Sequence, residues 1–215
     1  HEDHPDKGII VAEYGGGSDP RIHAANPKRF DFTVEWQTMI HASYYQQIIA
    51  RPHVMGGAIW NFADFGSEGR KDPVPHINSK GILHHDRTPK DSYLYYQAAL
   101  SQQSYLQIGS QDWRYRLGFA DETGSFTQPV WIFSNQPAIE VVVNGKTLGT
   151  FETNNYHTVV ETPFREGTNL IEVSAGKSLS RQSEFYAKAI PSNLSNLSVK
   201  DIDLRMNLGA HFHYT

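Results

Sequence analysis

The feature that most constrains this chain lies near its start, in Lys7-Gly8-Ile9-Ile10-Val11-Ala12-Glu13-Tyr14-Gly15-Gly16-Gly17. A β-branched run with no polar alternation reads as a fully buried strand, and here it stops on a carboxylate and an aromatic. Three glycines then allow a sharp backbone turn. In parallel α/β architectures the carboxyl ends of strands hold the chemistry, because loops there sit on a rigid sheet. Glu13 is therefore the leading catalytic candidate; its alternative is an acidic residue opening a polar loop.

The residues after the glycines fit a βαβ unit. Residues 18–29 are turn-rich, with Ser18, Asp19, Pro20, Asn26 and Pro27. From Phe32 to Ala50 the apolar positions Val34, Met39, Ile40, Tyr44, Ile48 and Ile49 recur at helical spacing, and Thr33 can cap the start. Arg51-Pro52 ends that helix, and Val54 to Phe62 reads as a second buried strand. A long polar loop, Gly66 to Ser79, is of a kind uncommon in a compact domain unless it serves a site. After the return through Lys80 to Asp86, Pro89 to Gln103 has a helical pattern, with Tyr93, Tyr96, Ala99 and Leu100 on one face.

Beyond Ser104 the period shortens to that of strands. Trp113–Leu117, Pro129–Phe133, Ala138–Val143, Lys146–Phe151, Thr158–Glu161 and Asn169–Ser174 are candidates, and Asn144-Gly145 is a strong hairpin signal. This spacing predicts an immunoglobulin-like sandwich over 104–190, after an α/β region over 1–103. Pro191 to Ser198 reads as a linker, and Ile202 to Tyr214 as the opening of a further domain.

Composition excludes several classes. The net charge is −4 with no basic cluster, which argues against a nucleic-acid partner. Cysteine is absent, so thiolate metal sites, disulfides and cysteine nucleophiles are excluded. No apolar run approaches the roughly 20 residues of a membrane span. His84-His85 and the His211/His213 pair lack the spacing and third ligand of a transition-metal site, so none is expected, and no cofactor either; an alkali or calcium ion held by carbonyl oxygens leaves no sequence signal of this kind.

Two constellations can carry chemistry. Adjacent parallel strands would bring Glu13 and Tyr14 beside Trp60, Asn61 and Asp64, joining a carboxylate to an indole that can stack on a sugar ring. Core packing is the competing reading of Trp60. In Asn78-Ser79-Lys80, an amide and an ammonium two residues apart on an extended segment point the same way and can hold a hydroxyl or carboxylate. An ordinary surface loop is the alternative there. Asp86-Arg87 reads as a structural ion pair or turn anchor.

Several of these stretches recur together in one family. Val11-Ala12-Glu13-Tyr14-Gly15, Gly57-Ala58-Ile59-Trp60-Asn61-Phe62-Ala63-Asp64-Phe65, Asn78-Ser79-Lys80-Gly81-Ile82-Leu83, Asp86-Arg87-Thr88-Pro89-Lys90-Asp91 and Tyr95-Tyr96-Gln97 resemble glycoside hydrolase family 2, in the right order. The family contains retaining β-galactosidases, β-glucuronidases and β-mannosidases built on a (β/α)8 barrel flanked by β-sandwiches. The resemblance implies an α/β plus all-β fold: the last two βα units of that barrel, then an immunoglobulin-like sandwich. It implies Glu13 as nucleophile, Trp60 as the ring-stacking residue, a cis Trp60–Asn61 peptide, and a substrate site including Tyr14, Asn61, Asp64, Asn78 and Lys80.

A carbohydrate substrate is implied, and the long continuation into the sandwich favours a β-galactoside. The alternatives are a β-glucuronidase, with Asn78 and Lys80 gripping the carboxylate, and a non-catalytic carbohydrate-binding or structural module. A periplasmic or secreted location is expected on family resemblance alone. No Asn-Glu pair supplies the acid/base that a retaining enzyme needs, and His1 to Asp6 lead straight into a strand. The chain is therefore expected to be part of a larger hydrolase, inactive alone, with residues 1–103 prone to association or partial disorder without the rest of the parent chain.

Overall fold

The computed structural model describes residues 1–71, 73–176 and 178–191. Strand β1 (Ile9–Tyr14) is followed by helix α1 (Val34–Ile49) and strand β2 (Val54–Ile59), and the two strands pair in parallel. Thr33 caps α1 as expected, its Oγ1 accepting from Trp36 N at 3.0 Å. The long loop is pinned by β3 (Phe65–Gly66) and β4 (Ile77–Asn78), two-residue antiparallel partners. Helix α2 (Asp91–Leu100) then packs beside α1.

Burial corrects three expectations. Strand β1 is not fully buried: Ile10 is 69% exposed, and Met55 of β2 is 75% exposed. Parallel strands normally carry cover on both faces. Here one face meets the helices through Tyr14, Val11, Ile59 and Ile48, and no layer covers the other among the described residues. On α1 the buried face is mainly polar, comprising Val34, Glu35, Gln37, Thr38, His41 and Ala42, while Met39, Tyr44 and Ile49 are exposed. The helix lies over hydrogen-bonded strand-end loops, which need polar partners. On α2 the buried set is Asp91, Ser92, Leu94, Tyr95, Tyr96 and Ala98, and Leu100 faces outward.

The second half is a two-sheet sandwich. Strands β5 (Leu106–Ile108), β6 (Tyr115–Phe119), β7 (Ser125–Ser134), β8 (Ala138–Val143), β9 (Lys146–Glu152), β10 (His157–Arg165), β11 (Gly167–Ala175) and β12 (Leu179–Ile190) form two sheets. One has the order β10-β7-β5 and the other β6-β12-β11-β8-β9. Only β6–β12 is a parallel pair within them. The strand expected at Trp113–Leu117 begins later, at Tyr115, because Gln111–Trp113 forms a 3-10 turn. Asn144 (φ 52°) and Gly145 (φ 77°) make the β8–β9 hairpin, both in the left-handed conformation that a two-residue primed turn requires.

The sandwich core joins the sheets through Val130, Ile132, Val160 and Phe164 on one side and Val141, Ile171, Val173 and Phe185 on the other. Trp131 and Phe133 instead belong to the cluster holding Tyr95 and Tyr96, so β7 fastens the sandwich to α2. Asp91, in the first turn of α2, reinforces this junction by accepting from Ser110 N at 2.9 Å with both oxygens. The linker and further domain expected over 191–215 lie outside the described residues beyond Pro191.

Burial pushes the Asp91 carboxyl up to about 7, against an opposing contribution from the Ser110 hydrogen bond. The folded protein therefore keeps a proton that the unfolded chain releases above pH about 4. The Asp91 contribution to stability is fully present below that pH and lost as pH rises to about 7. Denaturant unfolding across pH 4 to 7 is expected to show this decline, and Asp91→Asn to flatten it.

Candidate active site

Parallel pairing places the two strand ends side by side. Tyr14 pairs with Ile59, and Trp60 N donates to Tyr14 O at 2.8 Å, so Glu13 and Trp60 stand at adjoining carboxyl ends. Glu13 is exposed and makes no hydrogen bond or ion pair among the described residues. Its neighbour Tyr14 is buried in the helical layer. There its hydroxyl accepts from Tyr96 Oη at 2.9 Å and its ring stacks on Tyr44 at 5.5 Å. Tyr14, expected at the substrate, is thus a packing residue whose hydroxyl is raised in pKa by burial.

Behind it, His41 Nδ1 lies 3.2 Å from the Tyr96 hydroxyl. Burial, with Lys90 adding repulsion, pushes His41 down to about 4, so the imidazole is neutral at pH 7. Gly15 fits the turn because its φ is +147° and a Cβ would meet Trp60 O at 2.7 Å and His41 Cε1 at 3.1 Å.

The second strand end supplies an open aromatic wall. Trp60 is 41% exposed and meets Phe65 edge to face at 6.4 Å, and the Trp60–Asn61 peptide is cis. Asn61 is buried and tied to the return loop: its N donates to Lys80 O and its O accepts from Ile82 N, both at 3.1 Å. Its Nδ2 reaches Asn78 Oδ1 at 3.5 Å, and that same oxygen accepts from Lys80 N at 3.2 Å. The glycine loop after Glu13 adjoins this segment, since a Cβ on Gly17 would lie 3.3 Å from Ser79 Oγ and 3.7 Å from Lys80 Cγ.

Asp64 is held largely by the protein itself. Its carboxylate is buried, bound to Lys90 Nζ at 2.9 Å through Oδ1 and 2.8 Å through Oδ2, and Oδ1 also accepts from Gly81 N at 2.9 Å. It supports the return loop through Gly81 N. Asp86 is a turn anchor as expected, accepting from Thr88 N and Oγ1. A cleft of about 640 Å³ lined by Asp19, Arg21, Asp64, Ile77, His84 and Asp112 adjoins this region but includes neither Glu13 nor Trp60. His84 pairs with Asp112 at 3.1 Å.

Sequence reasoning missed Ser18, Gln37, His41 and Lys90, all buried. A signal existed: Gln37, Thr38 and His41 share a helical face, and polar residues so spaced mark a face that meets polar partners. The adjoining strand ends carry an unpaired carboxylate and an exposed indole, and the neighbouring loop carries the amide of Asn78 and the ammonium of Lys80. Together they can attack an electrophilic carbon, stack on a ring and hold an anionic substituent.

Comparison with known proteins gives this constellation a context. Residues 1–105 match the model of the glycosyl hydrolases family 2 TIM barrel domain, and residues 127–179 match a domain of unknown function, DUF4982. A β-glucuronidase of Bacteroides fragilis is 31% identical over 183 residues, covering 81% of this chain and 26% of that protein. The crystal structure of a Bacteroides uniformis β-glucuronidase superposes with a TM-score of 0.85 at 36% identity, covering 89% of this chain and 23% of that one. A second, of Bacteroides uniformis β-glucuronidase 2 covalently bound to cyclophellitol-6-carboxylate aziridine, also gives 0.85, at 35% identity over 92% of this chain and 25% of that one. The chain thus spans about a quarter of the length of these relatives.

The closeness of the return loop to the second strand end is testable. A Cβ on Gly81 would stand 2.2 Å from Asp64 N and 2.4 Å from Ala63 C, whereas one on Gly69 meets nothing within 4 Å. Gly81→Ala is expected to destabilise by about 1–3 kcal/mol through overpacking against backbone. Gly69→Ala should stay within about 0.5 kcal/mol, both read from denaturant midpoints.

Proposed function

Residues 1–105 belong to glycosyl hydrolases family 2, and from that premise we propose that the chain carries the nucleophile and uronate-binding side of a retaining β-glucuronidase. Glu13 attacks the anomeric carbon as the glycosidic C–O bond breaks and the aglycone leaves with a proton from the acid/base of the whole enzyme; water then hydrolyses the glycosyl-enzyme and frees the Glu13 carboxylate. Trp60 stacks on the apolar face of the sugar. Asn78 and Lys80 hold the substrate carboxylate, and Asn61 orients Asn78 through its side-chain amide.

The observation that carries this reading is Lys80. Its ammonium makes no ion pair among the described residues, and it sits two residues from Asn78 beside the loop that comes after Glu13. An ammonium and an amide so placed suit a carboxylate, which a uronide has and a galactoside lacks. The names of the relatives favour the same choice. The β-galactosidase reading, favoured by the domain continuation in the sequence, therefore gives way to its alternative.

Retaining chemistry also needs a carboxylic acid about 5 to 5.5 Å from the nucleophile. The buried carboxylates near this region are already committed: Glu35 to His23 and Ala24 N, Asp19 to Arg21, Asp64 to Lys90, and Asp91 to Ser110 N. We assign the acid/base role to none of them.

The test uses the whole natural protein that carries these residues. Glu13→Gln is expected to lower kcat for nitrophenyl β-glucuronide by at least about a thousandfold, equivalent to about 4 kcal/mol. Lys80→Met should raise KM for that substrate by roughly 10- to 100-fold, the loss of a charged hydrogen bond, and leave a β-galactoside unaffected. A wild-type preference for the galactoside would overturn the glucuronidase reading, and undiminished turnover by Glu13→Gln would overturn the nucleophile.

A further inference from the structure

Beneath the Glu13 loop and the Asn78–Lys80 segment lies a buried polar cluster centred on Lys90. Lys90 directly precedes α2, and it is wholly buried. Its ammonium has three sets of partners: the Asp64 carboxylate at 2.8–2.9 Å, Ser79 O at 3.3 Å and Ser18 Oγ at 3.5 Å. These come from the two loops that frame the site. Ser18 lies just past Glu13 and the glycines, Ser79 lies between Asn78 and Lys80, and the loops are joined directly by Ser18 N donating to Ser79 O at 3.1 Å.

Gln37 of α1 repeats the bridge. Its Nε2 donates to Gly16 O at 2.7 Å and Gly81 O at 3.1 Å, and its Oε1 accepts from Ser18 Oγ at 2.9 Å. Apart from Ser92 Oγ, which also donates to Gln37 Oε1 at 3.4 Å, these links end on segments 16–18 and 79–81 or on Asp64, which itself holds Gly81 N.

A buried ion pair is a weak source of net stability, because desolvation offsets much of the attraction, and apolar residues of similar volume often do as well. What an apolar pair cannot do is fix two loops by directed bonds. We propose that Lys90, acting through Asp64, is a positioning residue that holds the Asn78–Lys80 segment in register with the Glu13 loop and so sets the preference for a uronide. The proposal rests on the glucuronidase reading for its substrate, but not for its structural readout.

Two variants in the whole protein test it. Lys90→Met keeps chain length and removes the charge; Asp64→Asn keeps volume and an acceptor for Gly81 N while weakening the hold on Lys90. Kinetics on nitrophenyl β-glucuronide and β-galactoside are combined with hydrogen exchange of peptides covering 15–18 and 78–83. In both variants the glucuronide-to-galactoside ratio of kcat/KM should fall about tenfold or more, carried by KM, because misplacement of a binding group by about 1 Å can cost up to 10²-fold. Exchange should accelerate in the two loop peptides and stay unchanged in β7 and β10.

Equal losses on both substrates, or an unchanged ratio with unchanged exchange, would overturn the proposal. Should Lys90→Met lose protection throughout the sandwich, Asp64→Asn decides by the same two readouts. A wild-type enzyme that prefers the galactoside defeats the glucuronidase reading alone. The exchange of the two loops then decides positioning, acceleration confined to them supporting it and its absence overturning it.

Discussion

The parallel pairing of β1 with β2 is the constraint on which the rest depends. One hydrogen bond, Trp60 N to Tyr14 O, ties the two strand ends together, so that Glu13 and Trp60 stand at adjoining carboxyl ends. An irregularity in the pairing between Val11 and Tyr14 does the rest, since both residues face the helical layer although three positions apart. Tyr14 turns into the helical layer, where its hydroxyl is held by Tyr96, while Glu13 stays exposed. An unpartnered carboxylate and an open aromatic ring at adjoining strand ends result from backbone geometry before any substrate is considered.

That geometry needs support from below, and the support is polar. Glycine loops at strand ends expose backbone carbonyls that cannot be left unpaired once buried. Gln37, Ser18 and Lys90 satisfy them, which is why α1 buries amide and hydroxyl groups while Met39 and Ile49 face outward. The cost of burying Lys90 shows in the lowering of its pKa by desolvation, opposed by Asp64. The sandwich contributes from the other side, as Trp131 and Phe133 pack on the tyrosines of α2 and Asp91 grips Ser110. The α2 helix is thus held between the site and the sandwich.

Much of this fold is legible in the sequence. The βαβ order, the Thr33 cap and the Asn144-Gly145 turn are local signals, written in residues a few positions apart, and the structure carries all three. The motifs around Glu13, Trp60 and Asn78 mark the strand ends and loops that the structure brings together. Burial is less legible because it depends on what lies across a face. Ile9, Ile10 and Val11 promise a covered strand, yet the described residues cover only one side of it. Asp64 and Tyr14 stand next to site residues in sequence, but their contacts are with Lys90 and Tyr96, 26 and 82 positions away. Spacing alone cannot foresee such partners.

The central claim is that Glu13 is a nucleophile facing a carboxylate-binding edge formed by Asn78 and Lys80. The most direct measurement treats the whole protein with cyclophellitol-6-carboxylate aziridine, the compound found covalently bound in the Bacteroides uniformis relative, and maps the modified peptide by mass spectrometry. A single adduct on Glu13 is expected, formed faster than with a galactose-configured aziridine. An adduct on another residue, or faster labelling by the galactose-configured reagent, would contradict it.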